Sequence, residues 1–283
     1  MACANAFDGE IVCADSRQVY RGMDIGTGKD IEEYGSTPVH LLDIVPAGYK
    51  YNLYEFLRDA NSAIDDIRRR QRLPIIAGGT GMYAEAIANG LRLPEVPANA
   101  PLRQSLEGKT LDELTEILAS MKTLHNTTDV DTAKRAIRAI EIAEYYRAHP
   151  DKATEAVPHP LKDAVIVGVD IPRDLRRQRI SQRLRKRLDD GMVEEVKGLL
   201  DSGISPESLI YYGLEYKYIT EYLIGATDFD TMVKSLEIAI HQFAKRQMTW
   251  FRGMERRGHT IHWLPFDLGA DEFVGRVADL IEK

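Results

Sequence analysis

The stretch LPIIAGGTGMY, residues 73–83, decides the fold class of this 283-residue chain. Its first five residues are mostly apolar and run into a glycine pair, which predicts a buried strand from Leu73 to Ala77 followed by a tight turn. The apolar residues after the turn predict a helix from about Met82 to Asn89. A strand that leads through a glycine turn into a helix is typical of a parallel α/β sheet.

The segments before this stretch extend the same pattern. Residues 10–14, EIVCA, and residues 39–45, VHLLDIV, are apolar runs that predict two further strands. Residues 53–72 then place apolar side chains at helical spacing among charged ones, which predicts an amphipathic helix. Strands alternating with helices in this order predict a parallel sheet covered by helices.

The sequence changes character in its middle third. Residues 93–103, LPEVPANAPLR, are rich in proline and predict an irregular linker, and helical periodicity follows at 110–121 and 132–146. The next predicted strand is DAVIVGVDI, residues 163–171, and the rest is mostly helical. We therefore predict an α/β core with a helical insertion domain: core residues 1–92 and 162–283, insertion residues 93–161. Predicted later elements are helices at 173–190, 192–202 and 231–257 and a strand at 261–266.

Composition limits the class of protein. The longest apolar runs are far shorter than a membrane span, and the acidic first residues do not resemble a signal peptide, so we expect a cytoplasmic protein. Cys3 and Cys13 are the only cysteines, which excludes a disulfide framework and a cysteine zinc site. The histidines lack metal-ligand spacing, so no protein metal site is predicted. The net charge of −7 does not exclude a nucleic-acid partner, because a local basic patch suffices.

The stretch ADSRQVYRGMDIGTGKD, residues 14–30, carries polar groups directly after the first predicted strand. Open α/β sheets bind ligands at this edge. Asp15 is able to accept a proton from a substrate amine, and Ser16, Arg17 and Gln18 to hydrogen-bond a base or a phosphate. The alternative is that Asp15 and Ser16 only cap the following turn.

The glycine turn GGTG, residues 78–81, offers backbone N–H groups to an anion at the start of a helix. A turn that serves only packing is the alternative. It is not a Walker-type loop, because no Lys-Ser or Lys-Thr pair follows at the required spacing.

Two further segments concentrate positive charge. A dense cluster on the predicted helix at 173–190 suits the phosphates of a nucleic acid or a diphosphate, although a solvated face is the alternative. HQFAKRQMTWFRGMERRG, residues 241–258, mixes basic and aromatic residues, as RNA-binding surfaces do, although its aromatics could also pack inward. A smaller cluster comprises Lys134, Arg135 and Arg138. The members of the dense cluster are Arg173, Arg176, Arg177, Arg179, Arg183, Arg185, Lys186 and Arg187.

Across nearly its whole length the sequence resembles the tRNA dimethylallyltransferase family. Several long motifs match in order, and such a set does not recur by chance. One segment departs: YYGLEYKYITEYLIG, residues 211–225, resembles one bacterial subgroup, whereas most of the family reads closer to Gly-Tyr-Lys-Glu there, which weakens any role carried over to Leu214 and Glu215. The matching motifs are ADSRQVYRGMDIGTGK, HLLDIV, LPIIAGGTGMY, DVDTAKRAIRAIEI, RLDDGMVEEVKGLLDSG and HQFAKRQMTWFR.

The resemblance implies a fold and a reaction. The family's fold is similar to that of the P-loop kinases, which are nucleotide- and ATP-binding proteins, with a helical insertion that grips the tRNA anticodon stem-loop. Its members transfer a dimethylallyl group from dimethylallyl diphosphate to the exocyclic amine of the adenosine on the 3′ side of the anticodon. The resemblance also implies Mg²⁺ bound with the diphosphate. We expect a monomer.

The resemblance also implies site residues. Asp15 is the general base, Thr80 and Arg183 complete the catalytic set, and Arg183 or Arg179 binds the diphosphate. The residues implied to contact tRNA are Asp15, Ser16, Arg17, Gln18, Thr80, Arg103, Lys134, Arg135, Ala136, Ile137, Arg138, Gln242, Lys245, Arg246 and Gln247.

One family motif has no counterpart here. Family members begin with a strand and a loop of the form Gly-Pro-Thr-x-x-Gly-Lys-Thr, whereas MACANAFDGEIV, residues 1–12, resembles the end of the following helix. The expectation is that the first strand and the P-loop, which would cradle the diphosphate and its magnesium, are missing. The resulting gap would expose strand edges in the sheet. Two alternatives remain: a tRNA-binding protein with impaired or no catalysis, and an adenylate isopentenyltransferase that acts on free nucleotides.

Overall fold

The computed structural model describes residues 1–124, 128–155, 157–161 and 163–282. It divides into two compact units. The core unit comprises Met1–Asn89 and Leu161–Lys283, and the insertion unit comprises Gly90–Pro160. For comparison, the sequence predicted the insertion over 93–161.

The strands of the core unit are all paired in parallel, as the sequence predicted for an α/β fold. They form a three-stranded sheet in the order β3-β1-β5 and two two-stranded sheets, β2-β4 and β6-β7. Among the described strands, only β1 is paired on both sides. The strands are β1 Gly9–Cys13, β2 Tyr20–Arg21, β3 Val39–His40, β4 Val45–Pro46, β5 Leu73–Ala77, β6 Ile166–Asp170 and β7 Ile261–Pro265.

The single strand predicted over 39–45 is wrong. The segment forms two short strands, β3 and β4, in different sheets. Leu41 and Asp43 between them have left-handed backbone angles, with φ of 63° and 55°, which break an extended strand. Burial of Leu41 and an ion pair between Asp43 and the buried Lys29 hold this turn in place.

Helices cover the sheets of the core unit. α2 begins at a capping box, in which the Asn52 side chain accepts from the Glu55 N–H and the Glu55 carboxylate accepts from the Asn52 N–H. No helix in the described part of the chain is both long and apolar enough to cross a membrane. The core helices are α1 Ala2–Ala6, α2 Leu53–Arg69, α3 Gly81–Ala88, α8 Arg173–Asp189, α9 Met192–Asp201, α10 Pro206–Tyr211, α11 Leu214–Leu223, α12 Phe229–Arg256 and α13 Ala270–Ile281.

The insertion unit is helical and has its own hydrophobic core. The buried residues of this core include Leu114 and Leu118 of one helix and Ile140 of another. Part of the predicted linker at 93–103 is instead helical, because the Asn99 side chain caps the Leu102 N–H and the helix buries Leu106. The helices are α4 Ala100–Leu106, α5 Leu111–Met121, α6 Ala133–Ala148 and α7 Pro150–Glu155.

Candidate functional site

The candidate site lies in the core unit at the carboxyl ends of β1 and β5. Because these strands are parallel, the chain leaves both at the same edge of the sheet. The Ala14 N–H donates to the Ala77 carbonyl at 2.7 Å, and the Thr80 N–H donates to the Ala14 carbonyl at 3.3 Å. A Cβ on Gly78 would lie 2.3 Å from the Ala14 carbonyl carbon, so this close approach requires glycine. The glycine turn therefore lies beside Asp15.

Hydrogen bonds join the two loops around this carboxylate. The Ser16 N–H donates to the Thr80 hydroxyl at 3.0 Å, and the Thr80 hydroxyl lies 3.3 Å from that of Ser16. Asp15 accepts from the Arg17 N–H at 2.8 Å. Burial raises the pKa of the Asp15 carboxyl above its ordinary value of 3.8, against the opposing hydrogen bonds from the Arg17 and Gln18 backbones. A carboxyl with a raised pKa is a better proton acceptor.

Arg17 and Gln18 already have partners within the protein. The Gln18 amide donates to the carbonyls of Gly28 at 2.9 Å and Thr27 at 3.3 Å, and the Cys13 thiol donates to its oxygen at 3.3 Å. The Arg17 guanidinium lies 5.6 Å from the centre of the Tyr211 ring. Gln18 therefore links the strand end to the loop that contains Thr27 and Gly28, and a base contact by its amide remains a prediction.

That loop is held by Glu195 from α9. The Glu195 carboxylate accepts from three successive backbone N–H groups, those of Asp24 at 2.8 Å, Ile25 at 2.7 Å and Gly26 at 3.1 Å. It also accepts from the Tyr216 hydroxyl at 2.6 Å. A Cβ on Gly26 would lie 2.7 Å from the Tyr216 ring. We call this arrangement of Glu195 and Tyr216 on residues 24–26 the loop clamp.

The second half of α8 supplies the arginines beside the loop. The Arg187 guanidinium packs so closely on Gly28 that a Cβ there would overlap it. Burial lowers the pKa of Arg187, and the neighbouring charge of Arg183 lowers it further, opposed by Glu215. Burial raises the pKa of Glu215, which interacts electrostatically with both arginines and with Asp15. The four side chains of Asp15, Arg183, Arg187 and Glu215 thus form one electrostatic cluster.

Arg179, the other predicted diphosphate ligand, lies elsewhere. Its guanidinium is 4.7 Å from the centre of the Phe266 ring, just after β7. Arg183 is exposed and makes no ion pair or hydrogen bond through its side chain within the described part of the chain. Of the two, Arg183 is the one that neighbours Arg187 and Glu215 beside the Asp15 loop.

The predicted RNA-binding residues of α12 divide between two sides of the helix. The Gln247 amide donates to the Gly79 carbonyl at 2.8 Å, which ties α12 to the glycine turn. Arg246 lies 5.7 Å from the centre of the Phe243 ring. Phe243 and Trp250 are 43% and 42% exposed, so they do not pack wholly inward. Of the predicted residues, Gln242 and Lys245 are among those that line a groove beside α8.

In the insertion unit, the predicted RNA-binding arginines pair with a buried carboxylate. Arg103 donates to both oxygens of Glu141 at 2.7 and 2.8 Å, and Arg138 donates to it at 3.0 Å and to the Val96 carbonyl at 2.9 Å. Burial opposes ionisation of Glu141, but the hydrogen bonds from Arg103, the Asn99 N–H and Arg138 prevail and lower its pKa to about 2. These arginines therefore have a structural role in the unit.

The other residues predicted here differ in exposure. Arg135 pairs with Asp131, and Lys134 is exposed. Ala136 has no exposed surface and Ile137 packs against the core of the unit. That Ala136 contacts RNA stays a prediction, although its side chain is buried in the core of the unit with Leu114 and Leu118. Consecutive residues of a helix face different sides, so a basic sequence motif on a helix also contains residues that point into the core.

The sequence did not identify several residues that shape the site. The sequence did not single out Arg187 from the other members of the basic cluster. Glu215 was discounted because its segment departs from the family pattern. The spacing of four residues between Arg183 and Arg187 was the available signal. Nothing local to Glu195 reveals its partners, which lie about 170 residues earlier. Within the described residues no group of three or more potential metal ligands occurs.

The sequence profile of the IPP transferase family matches residues 18–254. The chain is 57% identical over 284 residues to the tRNA dimethylallyltransferase 2 of Phocaeicola vulgatus, across 99% of this chain and 92% of that protein. The crystal structure of a tRNA isopentenylpyrophosphate transferase from Bacillus halodurans matches with a TM-score of 0.70 and 29% identity, covering 99% of this chain and 89% of that one. A eukaryotic dimethylallyltransferase acting on tRNA matches in fold, with a TM-score of 0.82 at 21% identity over 99% and 75% of the two chains.

Proposed function

We infer that this chain, which belongs to the IPP transferase family, transfers a dimethylallyl group from dimethylallyl diphosphate to the exocyclic amine of the adenosine on the 3′ side of a tRNA anticodon. The observation that carries the proposal is the half-buried carboxyl of Asp15 at the strand end, beside the glycine turn and linked electrostatically through Glu215 to Arg183 and Arg187. Transfer to an amine needs both a base and cations on the leaving group.

The proposed reaction uses these groups in turn. The amine nitrogen forms a bond to the allylic carbon, the bond from that carbon to the diphosphate oxygen breaks, and the diphosphate leaves with the electron pair. Asp15 takes the proton from the amine and becomes neutral. Thr80 fixes the loop that carries Asp15 through its contacts with Ser16. Arg183, which is exposed and has no ion pair within the described part of the chain, binds the diphosphate as negative charge develops on it.

Recognition of tRNA is proposed to use both units. In the core unit, Gln242, Lys245 and Gln247 of α12 are the candidates, and in the insertion unit the exposed Lys134 and the paired arginines would meet the anticodon stem-loop. The target base must leave the loop to reach Asp15, at a cost of a few kcal/mol that stacking and edge contacts offset. We propose a monomer that works in the cytoplasm.

The absence of a phosphate-binding loop of the Walker type stays a prediction, as does ATP binding. If the loop is required, a chain carrying a preceding strand and Gly-x-x-x-x-Gly-Lys-Thr segment should transfer about 100-fold faster than the 283-residue chain. Equal rates would show that the loop is dispensable.

Mg²⁺ is proposed only as a companion of the diphosphate. The described residues form no cluster of three ligands, and Mg²⁺ commonly binds substrate phosphates and waters with one or two carboxylates. When bound, the ion would neutralise charge on the leaving group. Chelation should then slow transfer and leave the affinity for tRNA unchanged.

The experiment that tests the proposed function is a transfer assay with purified chain. Dimethylallyl diphosphate is supplied with either unmodified tRNA or AMP as acceptor, and the product is identified by mass. We expect the added mass on tRNA and none on AMP. Prenylated AMP would favour an adenylate isopentenyltransferase, and tRNA binding without transfer would favour a binding protein.

A further inference from the structure

Three side chains form an accessible patch beside the loop that carries Asp15. Tyr211, the last residue of α10, is 49% exposed. The Arg17 guanidinium lies 5.6 Å and the Lys50 ammonium 5.7 Å from the centre of its ring, within the range of a cation–π contact. We call Arg17, Lys50 and Tyr211 the Tyr211 patch.

The neighbouring Tyr212 holds the patch on a fixed support. Tyr212 is only 1% exposed, and its hydroxyl accepts from the Gly48 N–H at 2.6 Å and donates to the Tyr49 carbonyl at 2.8 Å. Its ring meets that of Tyr211 edge-on, with 5.8 Å between the ring centres. These contacts fix the loop that carries Lys50 against the end of α10. An aromatic ring on such a support loses little entropy when a ligand covers it.

Arg17 places the patch next to the proposed general base. Its backbone N–H donates to Asp15 at 2.8 Å, and its side chain reaches the start of α11, where a Cβ on Gly213 would lie 3.5 Å from its Nε. The Tyr211 ring is therefore one arginine side chain away from the loop that carries Asp15. When the target base lies at Asp15, the nucleotide beside it lies within reach of the ring.

The chemistry of the patch suits a nucleotide. Within the described part of the chain, the Arg17 and Lys50 side chains have no carboxylate partner and make no hydrogen bond. A nucleotide offers both a flat face to the ring and a phosphate to the two cations. Dimethylallyl diphosphate suits the patch less, because its carbon chain has to reach Asp15 while its phosphates lie beside Arg183.

We propose that Tyr211 stacks on the base of a nucleotide that flanks the target adenosine, and that Arg17 and Lys50 contact the phosphate of that nucleotide. The identity of the RNA rests on the proposed function. Tyr211 touches the substrate away from the reacting atoms, so its contribution is to the affinity for RNA and to the choice of the flanking base.

The first test is binding of a short RNA hairpin whose loop contains the target adenosine. Tyr211→Leu removes the flat face, whereas Tyr211→Phe keeps it. Tyr218→Leu is the matched control, because the Tyr218 ring also has a lysine beside it, with Lys217 at 5.4 Å, and lies outside the patch. We expect the affinity of Tyr211→Leu for the hairpin to fall about 10-fold, and that of the other two variants to stay within about 2-fold of wild type.

The second test separates stacking from a structural role of the ring. Two further hairpins each lack the base of one nucleotide that flanks the target, and are otherwise unchanged. Loss of the stacked base should weaken binding to the wild-type chain about 10-fold and binding to Tyr211→Leu hardly further, because both changes remove the same contact. The proposal requires this non-additive result with one of the two hairpins.

Several results would overturn the proposal. They are additive losses with both hairpins, equal losses in Tyr211→Leu and Tyr211→Phe, or a wild-type chain that does not bind the hairpin. A raised KM for dimethylallyl diphosphate with normal hairpin affinity would assign the ring to the isoprenoid instead. Failure of the proposed function has a different signature. A chain that binds the hairpin with the expected dependence on Tyr211 but transfers no dimethylallyl group would sink only the reaction.

Discussion

Removing the carboxylate of the loop clamp, by Glu195→Ala, should destabilise the chain and disturb the site together. The carboxylate accepts three backbone N–H groups at 2.7 to 3.1 Å and the Tyr216 hydroxyl at 2.6 Å. The substitution leaves all four donors without their carboxylate acceptor. Because the loop carries Gly28 and the carbonyls that hold Gln18, its release also loosens the surroundings of Arg187.

The size of the loss in unfolding free energy depends on which of these donors can hydrogen-bond to water instead. Asp24 is exposed and Ile25 is half-buried, so their N–H groups regain hydrogen bonds to water. Gly26 is buried and Tyr216 is only 1% exposed, so these two donors stay unsatisfied. At about 1–3 kcal/mol for each buried donor, we expect a loss of about 3 kcal/mol in the free energy of unfolding. A displacement of the loop by about 1 Å lowers kcat/KM about 10- to 100-fold.

Urea unfolding, amide hydrogen exchange and the transfer assay measure these effects. The control is Glu194→Ala, which removes a neighbouring exposed carboxylate on the same turn of α9. We expect faster exchange at residues 24–26 in the Glu195 variant only. If the two variants unfold at the same urea concentration and residues 24–26 exchange alike, the clamp does not hold the loop and the reasoning fails.

Three further predictions concern the site and the insertion unit. Asp15→Asn should reduce transfer to tRNA about 10²- to 10⁴-fold without loss of tRNA binding. Because burial raises the pKa of this carboxyl, the acid limb of the wild-type pH–rate profile should lie above pH 3.8. An acid limb at or below pH 3.8 would contradict this prediction. Arg187→Gln should lower kcat more than it raises the KM for tRNA, as measured in steady-state transfer, and an unchanged kcat would remove Arg187 from the site. Because the pKa of Glu141 is lowered from 4.5 to about 2, its contribution to stability is complete above pH 4.5 and is lost as the pH falls toward 2. Acid titration followed by circular dichroism should show this loss in the wild type and not in Glu141→Gln, with Glu116→Gln, at an exposed position on α5, as the control.

The sequence predicted the repetitive parts of the fold well. Apolar runs placed β1, β5, β6 and β7 to within a few residues, and helical spacing placed α2 and α12, because these two helices bury one apolar face. The run at 39–45 failed for a physical reason. Its hydrophobicity is that of a strand, but the buried Lys29 needs the Asp43 carboxylate, and the turn that delivers it depends on contacts distant in sequence.

The site shows the same division between local and distant information. Asp15 and the glycine turn were predictable, since each follows a strand, and parallel strands bring their carboxyl ends together. The residues that hold them were not. Glu195 lies on a helix whose local pattern is that of an ordinary amphipathic segment, and its function exists only through the loop at residues 24–26.

The distribution of charge partners separates structural arginines from ligand-binding ones more sharply than sequence does. Arg103 and Arg138 belong to family-like basic motifs, yet both donate to Glu141, whose side chain has no exposed surface. If tRNA drew these arginines away, it would leave a buried carboxylate uncompensated, at a cost of about 3–5 kcal/mol. Arg183, which has no ion pair within the described part of the chain, carries no such penalty, so a phosphate beside it would break no existing ion pair. RNA contacts by the insertion-unit arginines therefore have to use guanidinium N–H groups that Glu141 leaves unused.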